Sequence, residues 1–489
     1  MRRAVTPAAR TAVTPATQRA VAAGLALAAA ALLPTLAGAP AGEVPRTTPA
    51  AASSVTGGRL GAPAEDIPRP PPVDANALPG EGPPGALPGV EQSTECTRGT
   101  HAPDPATLPD LLWGQRLFGL AQLGTLGKGR QARIAVIDTG VSRHPLLAGR
   151  LVAGGDYVAG GNGLSDCDGH GTAVAGIAAA AADPGTGFSG VAPAAQVISI
   201  RQSSPSFTVP GRGGARQPAG NLETLAEAVV HAVDLGADVI NISEVACAPP
   251  NAQGSAELHA AVRAAVLRNV VVVAAAGNTG SGSDGECPSQ PQAGTVVYPG
   301  WFDDDVLTVA AVGPNGLASR FSFPGPWVDV AAPGERMVSL AANASGLTDQ
   351  LAQTRTTSPI DGTSFSAPMV AGLAALIRAA YPQLTARQVM DRITATAAQH
   401  ASGRSDTLGY GTVDPMAALT RTPAVLAPPS GIPTATDTGR LQLAPASGDR
   451  APAGPGALWG GVLALLATAT AGALAVGRSR SGWRADSRR

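Results

Sequence analysis

The sequence has few charged and few aromatic residues for its length. Only 14% of the 489 residues are Asp, Glu, Lys or Arg, against roughly 25% in typical soluble domains, and 3% are aromatic. The net charge of −1 argues against nucleic acid as a partner. No internal repeat of fixed period is evident. The chain is 44% hydrophobic, which is enough for a large core. Its 61 Gly and 44 Pro predict long loops and linkers.

The two ends of the chain account for part of the low charge. Four arginines and no acid lie in the first 19 residues, and an apolar run and the small residues Ala39-Pro40-Ala41 follow. This order predicts a secretory signal peptide over residues 1–41. A buried alanine-rich helix is the alternative, but the arginines lie at the wrong end for a capped helix.

An uncharged stretch near the C-terminus predicts a membrane helix. Residues 457–476 would span about 30 Å as a helix, which is the thickness of one bilayer core. Arginines dominate residues 477–489, so this tail is expected in the cytoplasm and the main body outside. The preceding residues lack an evident wall-sorting motif. We therefore expect a single-pass protein of the cell membrane with its body on the extracytoplasmic side.

Cysteine is scarce, and its four positions suit an exported chain. They are Cys96, Cys167, Cys247 and Cys287. None lies in a CxxC pair or in a Cys/His cluster at ligand spacing, so we expect no metal site. An even number in an exported protein predicts two disulfides, and four cysteines allow three pairings. We favour Cys96 with Cys167, which would tie the N-terminal segment to the body, and Cys247 with Cys287, which would close a long loop.

Composition divides the rest of the chain into three parts. Residues 42–100 are rich in Pro, Gly and Ala and predict an extended arm, whereas residues 421–456 predict a linker to the membrane helix. The segment 101–420 between them predicts the folded domain. Within it, residues 203–220 are basic and rich in Gly and Pro, and we expect an exposed loop there.

Short apolar runs alternate with helix-like segments in this domain. The runs, rich in β-branched residues, are typical of buried strands and include residues 133–138, 195–200, 238–243 and 271–277. Helix-like segments begin at His170, Asn221 and Ser255. Alternating strands and helices predict crossover units. We therefore expect an α/β fold with a mainly parallel central sheet covered by helices on both faces.

Asp138, His170 and Ser364 each lie beside a glycine where a strand ends or a helix begins. Because ligand sites of open α/β sheets gather at the carboxyl ends of strands, the three side chains could converge. A serine becomes a nucleophile when an imidazole takes its proton and a carboxylate orients that imidazole. Ser364 could also simply cap its helix, but the two roles are compatible, since a helix start directs free N–H groups at an oxyanion.

The motifs around these residues resemble those of the subtilisin-like serine proteases. They are Asp138-Thr139-Gly140, His170-Gly171-Thr172 and Gly362-Thr363-Ser364-Phe365-Ser366-Ala367-Pro368, in that family's chain order of Asp, His and Ser. Ala275-Ala276-Gly277-Asn278 resembles the segment whose asparagine completes the oxyanion hole. The resemblance implies a subtilisin-like three-layer fold and a serine endopeptidase acting on proteins or peptides. Its catalytic residues would be Asp138, His170 and Ser364, with Asn278 in the oxyanion hole and no cofactor.

Three nearby features keep alternative interpretations. Ser243 and Glu244 lie where members of the family line the substrate channel, but the glycines common there are absent, so the side-chain preference stays open. The glycines around Asn278 superficially resemble a nucleotide loop, although no helix follows and the spacing is not G-x-G-x-x-G. Asp166 and Asp168 could suggest a cation site, but we favour a solvated loop.

The order of the segments narrows the resemblance. A signal peptide, a proline-rich arm, a subtilase body, two cysteine pairs, a linker and one C-terminal helix resemble the mycosins, membrane-anchored subtilases of actinobacterial type VII secretion systems. This resemblance implies that the arm wraps the catalytic domain and that the partners are secretion components of the membrane. It leaves two functions open: a protease of exported proteins, or a scaffold of the secretion complex in which proteolysis is secondary.

Overall fold

The structure, a computed structural model, describes the main domain and part of the arm. The described residues are 67–80, 82–97, 102–280, 287–289, 292, 294–342, 346–352, 357–399 and 403–421. All of them belong to one compact unit. The predicted signal peptide (1–41), membrane helix (457–476), basic tail (477–489) and linker beyond Arg421 lie outside the described residues.

Strands occur throughout the described part of the chain. In chain order they are β1 (Glu91–Gln92), β2 (Arg133–Asp138), β3 (Leu151–Asp156), β4 (Gln196–Arg201), β5 (Ser204–Pro210), β6 (Arg216–Ala219), β7 (Val239–Ile242), β8 (Ala246–Ala248), β9 (Val271–Ala275), β10 (Val296–Tyr298), β11 (Leu307–Val312), β12 (Val330–Pro333), β13 (Ser339–Leu340), β14 (Leu347–Thr348), β15 (Gln350–Ala352) and β16 (Thr357–Pro359).

Helices alternate with the longer strands. In chain order they are α1 (Leu108–Leu111), α2 (Trp113–Leu117), α3 (Leu120–Leu126), α4 (His170–Ala179), α5 (Leu222–Asp234), α6 (Ser255–Leu267), α7 (Thr363–Ala380), α8 (Ala386–Thr396) and α9 (Pro415–Thr420).

Seven parallel strands form the central sheet, in the order β12-β11-β9-β7-β2-β4-β3. Side chains of a strand alternate between its two faces, so each strand feeds two cores. In β2, Ile134 and Val136 pack into the core that contains α4 and α7. Ala135 and Ile137 pack into the core that contains α5 and α6. The parallel sheet covered on both faces, expected from the apolar runs, is confirmed.

Helix α7 is the longest helix of the described residues, and 15 of its 18 residues are buried. It is apolar enough to span a membrane by length and composition, yet 78% of its apolar window is buried inside the domain. It packs against α4 and against the central strands β7, β9, β11 and β12. The burial identifies α7 as the central core helix, and its first turn lies at the carboxyl edge of the sheet.

The described part of the arm lies along the body instead of forming a domain of its own. The indole N–H of Trp301 donates to the Pro68 carbonyl at 2.8 Å, and the Leu87 N–H donates to the Val158 carbonyl at 3.0 Å. Near its end, β1 pairs with β5. The arm is therefore held by backbone and side-chain hydrogen bonds at several points of the domain.

The expectation of an exposed loop at residues 203–220 is wrong. This segment forms the antiparallel pair β5 and β6, and β1 of the arm adds a third strand. The prolines and glycines favour a loop, yet β5 and β6 pair with each other as a hairpin, and β1 from the arm adds to its β5 side. Arg216 reinforces the contact by donating from Nη2 to the Gly89 carbonyl at 2.9 Å.

Both disulfides have the favoured pairing. Cys96 of the arm is bonded to Cys167, three residues before His170. Cys247 of β8 is bonded to Cys287, which pairs through its backbone with the residues after β9. The described cysteines therefore leave no free thiol.

Candidate active site

Asp138 and His170 meet at the carboxyl edge of the sheet. Asp138 is the last residue of β2 and is fully buried, and His170 is the first residue of α4. The imidazole Nδ1 lies 2.8 Å from the Asp138 Oδ1. The same oxygen accepts the N–H of Thr139 at 2.8 Å, and this hydrogen bond holds the carboxylate in place for the imidazole. The pair has the geometry of an imidazole oriented by a carboxylate.

Asp166 holds the loop that carries His170. Its Oδ1 accepts the Gly169 N–H at 2.7 Å and the Thr139 hydroxyl at 2.9 Å, and its Oδ2 accepts the Thr172 N–H at 2.8 Å. The carboxylate thereby satisfies free N–H groups at the start of α4, as a capping side chain does. Because Asp166 is only 3% exposed, the interpretation of this segment as a solvated loop is wrong.

Ser364 lies in the first turn of α7, and the side chain of Asn278 caps this turn. The Asn278 Oδ1 accepts both the Thr363 N–H at 3.0 Å and the Thr363 hydroxyl at 3.1 Å. Gly362 precedes the helix with φ of 153°, a conformation that suits glycine. Both bonds involve Oδ1 alone, so they orient the amide without using the Nδ2 donors of Asn278. The predicted oxyanion residue thus lies next to the predicted nucleophile.

Ser243 is paired reciprocally with Ser364. The Ser243 hydroxyl donates to the Ser364 carbonyl at 2.8 Å, and the Ser364 hydroxyl donates to the Ser243 carbonyl at 2.9 Å. Helix geometry explains the first bond, because Pro368 has no N–H to donate to the carbonyl four residues before it. Ser243 supplies the missing donor and is itself fixed by the Asn241 amide at 2.9 Å. In the resting arrangement the Ser364 hydroxyl therefore points at the Ser243 carbonyl.

The imidazole of His170 is surrounded by negative charge. Glu244, which follows Ser243, places Oε1 3.2 Å from the same Nδ1 that faces Asp138. Burial lowers the pKa of His170, but the carboxylates of Asp138 and Glu244 outweigh it and raise this pKa to about 10. Of the residues that the structure describes, Asp138, His170 and Glu244 are the group whose ligand atoms lie close enough, within 4.8 Å, to hold a metal ion. A cation there would replace the Nδ1 proton.

The constellation defines a class of protein. A buried carboxylate, an imidazole and a serine in the first turn of a helix, with an amide beside the serine, form the set typical of serine hydrolases. Asp138 ends a strand of the parallel sheet, and His170 and Ser364 lie at the starts of two helices. Their order along the chain, Asp, His and then Ser, is the order in which one family of serine hydrolases carries these residues. The fold and the site therefore indicate a hydrolase that uses an activated serine.

Comparison with known proteins gives the family. The sequence matches the subtilase family over residues 129–411. Mycosin-4 of Mycobacterium tuberculosis is 50% identical over 313 residues, which cover 62% of this chain and 68% of that protein. The MycP3 protease from the type VII (ESX-3) secretion system has a similar solved structure, with a TM-score of 0.64, 41% identity, and coverage of 72% of this chain and all of that one.

A third likeness involves a chain in an assembled complex. One chain in the structure of an intact ESX-5 inner membrane complex matches with a TM-score of 0.65 and 37% identity, over 84% of this chain and 99% of that one. The present chain belongs to the subtilase family, and within it to the mycosins. The resemblance stated from the motifs is confirmed, and the protein is a subtilisin-like peptidase.

Proposed function

We propose that this mycosin is a membrane-anchored serine endopeptidase that cleaves exported proteins in a type VII secretion system. Asp138, His170 and Ser364 are the catalytic residues, and Asn278 completes the oxyanion hole. The observation that carries this assignment is the 2.8 Å contact between the His170 Nδ1 and the Asp138 Oδ1, next to a helix start that presents Ser364. That contact leaves the other nitrogen of the imidazole for the serine.

The proposed reaction is acyl transfer from a peptide to Ser364 and then to water. The serine hydroxyl turns from the Ser243 carbonyl toward the imidazole, His170 takes its proton, and the oxygen attacks the peptide carbonyl. The Ser364 N–H and the Asn278 Nδ2 stabilise the oxyanion that forms. Protonated His170 then gives its proton to the leaving amine, and water hydrolyses the acyl-enzyme by the same steps.

The proposed location rests on the chain ends and on the relatives. Residues 457–476 have the length and composition of one membrane helix, and residues 1–41 have those of a signal peptide. A similar chain is part of the ESX-5 inner membrane complex, and another is part of its periplasmic assembly with a TM-score of 0.66. We infer that the peptidase domain works outside the cytoplasm, beside membrane components of the secretion machine.

A second function, that of a structural subunit, is supported by the arm. Its strand β1 completes a small sheet with β5 and β6, and Cys96 fixes its end covalently to the loop before His170. An arm held in this way is a permanent part of the surface, as a subunit of an assembly would need. Because proteolysis and assembly use different parts of the molecule, both functions can coexist.

Replacing Ser364 by alanine tests the two functions together. Losing the nucleophile is expected to reduce kcat for a peptide substrate by about 10⁶ without unfolding the protein. Ser366→Ala, two residues later in the same helix, serves as the matched control and should retain activity. Secretion by cells that carry only the Ser364→Ala protein then shows whether assembly is separable from catalysis. Unchanged cleavage by the Ser364→Ala protein would refute the assignment of the nucleophile.

A further inference from the structure

Glu244 contacts the imidazole of His170 at the same ring nitrogen as Asp138. It lies two residues beyond β7, immediately after Ser243, and its side chain is 33% exposed. Its Oε1 lies 3.2 Å from the His170 Nδ1, whereas the Asp138 Oδ1 lies 2.8 Å from that nitrogen. One ring nitrogen therefore faces two carboxylates, one fully buried and one partly exposed.

We propose that Glu244 is a positioning residue for His170, a second carboxylate on Nδ1 that holds the ring and favours its protonated form. The inference rests on the proposed role of His170 as the base that activates Ser364. It assigns to Glu244 an action on the imidazole, in addition to the place in the substrate channel that the sequence predicted.

The contacts of Glu244 support this role. Within the described residues, its carboxylate makes no other hydrogen bond or ion pair, so His170 is the partner that fixes it. Asp138, in contrast, is held by the Thr139 N–H and keeps a buried Oδ2 that accepts no hydrogen bond from a described residue. The imidazole also packs against the tilted ring of Phe365, with 5.1 Å between ring centres. The ring is thus enclosed by two carboxylates and one aromatic face.

Within the described part of the chain, the charged groups that act on His170 and on Glu244 beside it are carboxylates. They are Asp138 at the end of β2, Glu244 after β7, and Asp166 and Asp168 in the loop before α4. Asp166 is occupied as a cap of α4, and Asp168 accepts from the Ser204 hydroxyl at 2.5 Å and the Ser206 N–H at 3.0 Å. Asp138 and Glu244 are therefore the two acids that contact the ring directly. Burial raises the pKa of Glu244 above its ordinary value, and the nearby His170 opposes that rise.

A carboxylate at this position has two opposite effects on the reaction. It stabilises the imidazolium that forms when Ser364 loses its proton, which favours the transition state. It also raises the pH needed to obtain the neutral imidazole in the resting enzyme, because an opposite charge within 4–6 Å shifts a pKa by about one unit or more. Glu244 therefore sets the pH range in which the enzyme works.

Glu244→Gln keeps the shape of the side chain and removes its charge. In profiles of kcat/KM against pH, the acidic limb should move down by about one pH unit, at the low end of the range for such pairs because Glu244 is partly exposed. At high pH, where the imidazole is already neutral, kcat should fall about threefold. Glu257→Gln removes the same charge from α6, on the opposite face of the sheet, and should leave the profile unchanged. The proposal is overturned if the acidic limb of the Glu244→Gln profile stays at its wild-type position. It is also overturned if the only change is in KM for basic peptides, which would mean that Glu244 acts on the substrate and not on the imidazole.

A second measurement is independent of cleavage. In the Ser364→Ala protein labelled with ¹⁵N-histidine, NMR titration follows the His170 imidazole directly. Adding Glu244→Gln should lower the pKa of His170 by about one unit while the melting temperature stays the same. An unchanged pKa in the folded double variant overturns the proposal. If the shift occurs but the wild-type protein cleaves no peptide, the contact is correct and the proposed function fails.

Discussion

Helices α4 and α7 both begin at the carboxyl edge of the sheet, and each presents one side chain of the candidate triad, but they are held differently. The start of α4 is capped by the carboxylate of Asp166, which accepts N–H and hydroxyl groups. The start of α7 is capped by the neutral amide of Asn278. A disulfide lies beside each start, Cys96 with Cys167 at α4 and Cys247 with Cys287 near Asn278.

The difference matches what each helix start would have to stabilise during the reaction proposed above. At α4 the imidazole gains a proton, and surrounding carboxylates favour the resulting positive charge. At α7 the peptide oxygen gains negative charge, so neutral N–H donors are suitable and a carboxylate would be harmful. The same local structure, a helix start behind a glycine, is thus adapted to opposite charges by the group that caps it. Three changes test this comparison.

The largest effect on activity is expected at the start of α7, where the capping group is the neutral amide of Asn278. Asn278→Ala removes the Nδ2 donor and should lower kcat by about 10²–10³ with little change in KM. Asn315→Ala, in an exposed turn, is the matched control and should retain activity. Steady-state kinetics on a peptide substrate measure the effect, and the melting temperature checks that α7 still forms. A loss of kcat below threefold would mean that Asn278 only caps the helix.

Removing each disulfide in turn compares how much it stabilises the region beside the start of α4 and the region beside the start of α7. Replacing Cys96 and Cys167 by serine should lower the free energy of unfolding by about 3 kcal/mol, as should the same change at Cys247 and Cys287. The first variant alone should also expose the arm, because Cys96 lies on it. Urea unfolding measures the first expectation, and timed limited proteolysis measures the second. Equal protection of the arm in both variants would show that β1 and the arm contacts hold it without the disulfide.

Two threonines offer the finest comparison. Thr139 donates to the Asp166 carboxylate at 2.9 Å and accepts the Gly171 N–H, whereas Thr363 donates to the Asn278 amide at 3.1 Å and accepts the Gly277 N–H. Both are fully buried, and valine has the shape of either.

Thr139→Val should cost about 2 kcal/mol of unfolding free energy and Thr363→Val about 1 kcal/mol, because hydrogen bonds to a charged group are the stronger. Each variant leaves one backbone N–H without its acceptor, so that part of the loss is common to both. Chemical unfolding of the two variants in parallel measures the difference. A larger cost at Thr363 would show that the charge of Asp166 does not strengthen its cap.

Much of this edge could be predicted from the sequence, because its residues lie in short local motifs. A strand that ends in Asp138 and a helix that begins at His170 are visible from the apolar runs and the adjacent glycines. The roles of Asp138, His170, Ser364 and Asn278 remain predictions, but the structure brings all four to one place. The parallel sheet follows from the same strand pattern.

Apart from the two disulfides and the meeting of the candidate catalytic residues, contacts between distant parts of the chain could not be predicted. The pairing of β1 with β5 joins segments that carry no common pattern, and the prolines and glycines of residues 203–220 favour a loop over the hairpin that β5 and β6 form. The sequence predicts Glu244 in the substrate channel, but its contact with His170 depends on the exact approach of β7 to α4. Ser243 could have been linked to Ser364, because Pro368 leaves that carbonyl without its helical donor.

Reaction with a fluorophosphonate, followed by intact-protein and peptide mass spectrometry, tests the central claim most directly. The account predicts one adduct on the folded wild-type protein, located on Ser364, and none on the Ser364→Ala protein. The His170→Ala protein should react far more slowly, because its serine lacks the base that activates it. A folded wild-type protein that forms no adduct, or one modified at another residue, would contradict the account.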